Sequence, residues 1–258
     1  MAGDVAILLG HIPPGPSHFE LDSICARGHY YQRAGGACWD GYAQRRLLHL
    51  LGTFADIVPT SFWGHHHTDS VRVVTDDGMR AAGRGTPSGT SGGRSAVEDS
   101  RARHLIVLSP SLTPRNPPHD PALRLYKYSR RTGRVLDFTE YTLNVTTANA
   151  ERRAQWRVTP TALGTLPLNL SSMSASEWAR ALRGMLRHDH NPTATDELSL
   201  ADPFLQWVSP ERCAREAYVD SGRSDVTKLR RCKLAHLCAA LHVADAPYAE
   251  CIGQPTTT

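Results

Sequence analysis

The chain lacks any long hydrophobic run. No stretch of its 258 residues reaches the roughly 18 consecutive apolar positions that a spanning helix needs. It also shows no secretory leader. Met1-Ala2-Gly3-Asp4 has no basic region, and Val5 to Leu9 is too short for a leader's apolar core. A basic stripe interleaved with aromatics is missing too. Arginine dominates the cations but is dispersed, and the formal net charge is only +4, so nucleic-acid binding has no support. What the chain has instead is histidine: 13 of them, three consecutive at positions 65 to 67. Their protonation would raise the net charge sharply below about pH 6, which fits an acidic compartment.

The tract Gly64-His65-His66-His67-Thr68-Asp69 follows an apolar stretch, Ile57-Val58 and then Phe62-Trp63, and precedes Val71-Arg72-Val73-Val74, which alternates as a strand does. It is expected in a loop between two strands. If that loop is extended, His65 and His67 project to one side and His66 to the other. Converging imidazoles suit a divalent transition metal; the plain alternative is a solvated polar loop. Upstream, Val5-Ala6-Ile7-Leu8-Leu9 reads as a buried strand covered on both faces. It ends in Gly10-His11-Ile12-Pro13-Pro14-Gly15, which puts His11 at a strand's carboxyl end, where α/β folds place ligands.

Trp39 to Phe54 predicts a helix with an apolar stripe of Tyr42, Leu47, Leu50, Leu51 and Phe54. Ile57 and Val58 are expected to start the next strand. Asp76-Asp77-Gly78 reads as a turn. Residues 79–103, rich in Gly, Ser, Thr and Arg, read as a disordered insertion. His104 to Leu108 is another buried-strand run. Leu123 to Tyr128 and Val135 to Leu143 form a hairpin around Arg131-Thr132-Gly133. From Thr146 the character becomes helical: Ser176 to Leu186 carries Trp178, Ala181, Leu182 and Met185 on one face, and the region from Cys213 to Cys251 carries Leu229, Leu234, Leu237 and Leu241. The fold class is therefore α/β, with a first part over 1–150 and a helical part over 151–258.

Six cysteines and two sequons, at Asn144 and Asn169, suit an extracytoplasmic protein. Asn191-Pro192-Thr193 is excluded by its proline. Cys25 and Cys38 could close a local loop. Secreted chemistry without a leader suggests that Met1 is an internal or gene-model start.

Gly-His-Ile-Pro-Pro-Gly followed by Phe-Trp-Gly-His-His-His-Thr-Asp-Ser resembles the acid sphingomyelinase-like phosphodiesterases. So do Tyr141-Thr-Leu-Asn-Val-Thr-Thr-Ala-Asn149, Cys232-Lys-Leu-Ala-His-Leu-Cys238 and Tyr248-Ala-Glu-Cys251. The resemblance implies part of a metallophosphoesterase β-sandwich flanked by helices, with a small disulfide-bonded helical tail. It implies two zinc ions, His11 and His65 on the second and His67 on the first, with His66 not needed as a ligand. It implies a Cys238–Cys251 disulfide, with Cys213–Cys232 paired by elimination. The substrate would be a phosphodiester, from a phospholipid head group or a nucleotide, and the location secreted or lysosomal, with room for a peripheral membrane contact. No saposin-like segment is present, which favours a soluble substrate.

Two zincs about 4 Å apart activate a water and neutralise the phosphodiester's developing charge. Asp69 and Asp76 are candidates to orient the ligating imidazoles. The family's remaining ligands, among them the bridging aspartate, lie in a first half to which nothing in this sequence corresponds. The chain is therefore expected to be a fragment with little activity, an inactive truncated member or a binding protein. A mononuclear zinc protein of other ancestry is the third reading.

Overall fold

The computed structural model describes residues 5–16, 39, 41–83, 101–113, 120–159, 170–189 and 226–253. In chain order these form β1 (Leu8–Leu9), α1 (Gly41–Thr53), β2 (Thr60–Trp63), β3 (Ser70–Thr75), α2 (Asp76–Gly83), β4 (Ala102–Leu108), β5 (Ala122–Tyr128), β6 (Val135–Leu143), α3 (Val145–Glu151), β7 (Trp156–Thr159), α4 (Ala175–Asp189), α5 (Val226–Leu241) and α6 (Asp245–Cys251). The α/β class stands.

One sheet runs β1-β2-β4-β3, with β1, β2 and β4 parallel and β3 antiparallel to β4. The expected buried strand at Val5–Leu9 is corrected by this order. Only two of its residues pair, and among the described strands β1 lies at the edge; Ile7 is 58% and Leu9 73% exposed. Ile57 is also corrected: it lies in a turn, and the strand begins at Thr60. β4 is the buried run that His104 to Leu108 predicts: β2 and β3 flank its edges, and its two faces are covered by separate cores, Ile106 and Leu108 against Leu48 and Leu51, Leu105 and Val107 against Trp178, Leu182 and Leu237. β3 does not alternate in burial. All six residues are buried, Arg72 among them, because its two faces meet two separate cores.

On one face α1 covers Leu8, Trp63, Val74, Ile106 and Leu108. Its buried side is Gln44, Leu48, Leu51 and Gly52, whereas Tyr42, Leu50 and Phe54 of the expected stripe are exposed. Specific partners override apolarity here. Gln44 accepts from Gly15 N–H at 2.8 Å and donates to Val243 O at 3.3 Å, and Gly52 leaves room for Met79, whose sulfur a Cβ would meet at 1.9 Å. Asp76-Asp77-Gly78 is the first turn of α2 rather than a free turn. Thr75 Oγ1 accepts from Gly78 N–H, and the two carboxylates suit a helix N-terminus. The expected insertion over 79–103 is corrected at both ends, with helix to Gly83 and strand from Ala102; residues 84–100 lie outside the described set.

The other face carries Phe62, Val71, Val73, Leu105 and Val107 against α4 and α5 and against the predicted hairpin. Trp178 and Leu182 of α4 and Leu237 and Leu241 of α5 are buried there, as their periodicity predicts. β5 and β6 pair antiparallel, and β7, which the sequence reading missed, joins β6 to make a second sheet. Tyr126 couples the sheets. Its ring is 4.6 Å from Phe62 and 5.8 Å from Phe138, and its hydroxyl is 3.0 Å from Ser109 Oγ. Cys238 and Cys251 are joined, with Cα atoms 5.8 Å apart, tying α6 to α5. Cys232 is also disulfide-bonded. Its expected pairing with Cys213, like the Cys25–Cys38 loop, lies outside the described residues.

Candidate metal centre

β1 and β2 end alike, each in Gly-His. Leu9 pairs with Phe62, Gly10 N–H donates to Phe62 O at 2.9 Å, and Gly64 N–H donates to His11 O at 3.0 Å, so the two exits run side by side. Glycine is required at the first. A Cβ on Gly10 would meet the Trp63 ring at 2.2 Å. The loop after His11 is pinned at three points: Ile12 O accepts from Trp39 Nε1 at 3.0 Å, Pro14 O accepts from Arg72, and Gly15 N–H reaches Gln44.

This arrangement brings His11 and His65 together, with Nε2 and Nδ1 3.4 Å apart and ring centroids at 5.2 Å. Two imidazoles on one tetrahedral zinc, each bonded at about 2.0–2.1 Å, have their nitrogens about 3.3–3.4 Å apart. The pair therefore fits two ligands of a single ion. Without an ion, one nitrogen carries a proton and donates to the other. Among the described residues no three His, Cys, Asp or Glu side chains converge closely enough to hold a metal.

The tract itself is not extended, so the condition under which His65 and His67 would project to one side is not met. His65 and His67 both have left-handed backbones, with φ of 71° and 63°, and His66 N–H donates to Gly64 O at 2.8 Å. Such conformations cost about 1 kcal/mol or more for residues with a Cβ, and they cluster at functional sites. The result turns His66 inward. Its ring is 5.8 Å from that of His65. Burial, together with Arg72, His65, His236 and His67, pushes its pKa well below the usual imidazole range. It is neutral at neutral pH.

Asp69 is buried and paired with Arg124 at 2.5 Å, and the same guanidinium reaches Glu140 at 2.7 Å and stacks 4.0 Å from the Phe138 ring centre. Burial pushes the Asp69 carboxyl up, Arg124 opposes this, and Glu140 adds to it. Asp76 is not available to orient the imidazoles: Arg103 holds both its oxygens, at 2.6 and 3.1 Å, at the opposite end of β3. Arg72 is fully buried, and that burial lowers its pKa to about 9. Arg124, Glu140, Arg72 and His66 were missed by the sequence reading. The signal for the first two was an Arg and a Glu directly opposed on the inward face of a predicted hairpin.

A chain of hydrogen bonds lies beneath Trp63. His104 Nδ1 is 2.7 Å from Val58 O, which can only accept, so Nδ1 carries the proton. Nε2 then accepts from Ser61 Oγ at 2.8 Å, and Ser61 accepts from Trp63 Nε1 at 2.8 Å. Burial lowers the His104 pKa to about 4. Asn144 caps α3, accepting from Thr147 N–H at 2.7 Å and donating to Asp120 at 3.3 Å. Asn169 lies outside the described residues.

No protein-family model matches the chain. It is 25% identical over 167 residues to human acid sphingomyelinase-like phosphodiesterase 3b, covering 61% of this chain and 29% of that protein. It is 22% identical over 256 residues to a human cyclic GMP-AMP phosphodiesterase, covering 96% of this chain and 44% of the relative. It is 26% identical over 169 residues to sphingomyelinase phosphodiesterase C of Dictyostelium discoideum, covering 62% and 31%. The chain thus spans less than half the length of these curated relatives. In these comparisons the chain is similar to the acid sphingomyelinase-like phosphodiesterases, at 22% to 26% identity.

Proposed function

We propose that the chain supplies the histidine side of a zinc-dependent phosphodiesterase centre. His11 and His65 hold one zinc and His67 the other, and the two sheets are part of a metallophosphoesterase sandwich. The observation that carries this is the 3.4 Å approach of His11 Nε2 to His65 Nδ1 across two adjacent strand ends. Bound zinc would supply Lewis acidity for attack on a phosphodiester, the class named in the relatives, whether sphingomyelin-type lipid or nucleotide. The protein's own part is positional. Arg72 and Gln44 hold the His11 loop, and Arg124 holds Asp69 two residues beyond His67.

A second reading, a catalytically inactive truncated member or a binding protein, is favoured by the lack of a third clustered ligand among the described residues. The chain is read here as a portion of a longer secreted or lysosomal glycoprotein, with Asn144 and Asn169 as acceptors. The disulfide between Cys238 and Cys251 supports that location.

The two readings separate by calorimetric zinc titration of the full chain beside an assay on a chromogenic phosphodiester. The expected result is zinc binding with proton release, lost in His65→Ala, and little turnover. Unchanged zinc binding in both His11→Ala and His65→Ala would overturn the assignment. Substantial turnover, abolished by His67→Ala, would show that the site is complete in this chain.

A further inference from the structure

The register of the second sheet sorts its side chains into two faces. Tyr126 and Phe138 pair and point at the first sheet, as do Arg124 and Glu140. Leu123 pairs with Tyr141, which pairs with Val158; Leu143 pairs with Trp156; and Leu125 stands beside them. These six occupy the alternate positions and so share the outer face. An outer sheet face ordinarily carries polar residues. Here Leu125 is 60%, Trp156 42% and Val158 58% exposed.

The two ends of this face are basic. Arg130 and Arg131 sit in the β5–β6 turn, Arg152 and Arg153 precede β7, and Lys127 lies on the face itself, all exposed. Arg134 adds a sixth exposed cation at the turn end. Asp120, Asp137 and Glu151 are the acids of the same region. Six cations against three anions leave a surplus of three, in a chain whose net charge is +4.

We propose that this face docks on an anionic lipid surface, whatever the fate of the zinc reading. A Trp–Tyr–aliphatic patch is suited to the boundary between water and acyl chains, and a cationic rim to acidic head groups. A second copy of the chain suits it less, because a symmetric contact would set the arginine-rich ends against matching cations. Docking this way lays the sheet flat on the bilayer. Arg124, on the inner side of β5, then holds the Asp69 end of the histidine tract one sheet's depth from the lipid.

Co-sedimentation of the unglycosylated full chain with vesicles tests this, using phosphatidylcholine alone and phosphatidylcholine with phosphatidylserine. The expected result is binding to the serine-containing vesicles only, weakening with salt. Binding should fall about tenfold in Trp156→Ser/Val158→Ser and in Arg152→Glu/Arg153→Glu. All four positions are exposed, and circular dichroism checks that the variants stay folded. No binding to anionic vesicles overturns the proposal, as does equal binding by folded variants. So does a dimer of the parent chain that Trp156→Ser dissociates, which would make the face a contact between copies.

Discussion

Asp69 and Arg124 meet at 2.5 Å with almost no access to water, one immediately before β3 and the other inside β5. Through this pair the histidine tract on the first sheet is anchored to the second. Removing the guanidinium would strand Asp69 and Glu140 as buried carboxylates. Arg124→Met should therefore destabilise by about 3–5 kcal/mol. Adding Asp69→Asn and Glu140→Gln should recover part of that loss. Urea denaturation of the three proteins checks it, and an Arg124→Met protein as stable as the parent would contradict the anchor.

Acid should weaken the fold through its neutral histidines. Burial lowers His104 to about 4, and burial with Arg183 lowers His242 to about 4. An unfolded histidine titrates near 6.5. Below that value the unfolded chain binds protons that the folded chain refuses. The stability these groups contribute is present above about pH 6.5 and is lost progressively as pH falls to about 4, at roughly 1.4 kcal/mol per pH unit for each group. Melting temperature against pH, for the parent and His104→Gln, reads this directly; the variant should show the shallower acid slope. Composition alone suggested an acidic compartment, whereas buried His104 and half-buried His242 favour neutral pH.

The two glycines before the histidines should respond differently. Gly10→Ala places a methyl 2.2 Å from the Trp63 ring, inside the packed layer. A loss of about 1–3 kcal/mol is expected, with weaker zinc binding because His11 moves. Gly64→Ala meets nothing nearer than His11 Nδ1 at 3.6 Å, an ordinary contact, and should cost far less. Chemical denaturation of both variants distinguishes them; equal losses would refute the packing argument.

Cys238 and Cys251, 13 residues apart, close a short loop around the α5–α6 corner. Cys238→Ser/Cys251→Ser should lower stability by about 3 kcal/mol in the chain-entropy picture. Peptide mapping without reductant should recover the 238–251 link; a 232–238 link would contradict it.

Sequence by itself determined the elements whose evidence is local. The hairpin of β5 and β6 follows from alternation around a Gly turn, and α4 from its helical repeat. The Gly-His pairs after two apolar runs singled out His11 and His65, and the cysteine spacing in its family context gave the last disulfide. The tertiary structure decided everything that depends on which neighbours are present. Val5 to Leu9 reads as a central strand by composition, yet lies at the edge because, among the described strands, β2 alone pairs with it. Gln44 is buried in place of Tyr42 because two backbone groups, Gly15 N–H and Val243 O, need its amide. Arg72 and Arg124 look like surface cations in the sequence. They are buried because a carbonyl in one case, and two carboxylates and an aromatic ring in the other, reach them from far along the chain. Periodicity reports a residue's affinity for water; it carries no record of the distant group that can replace water, and that group decides burial at this site.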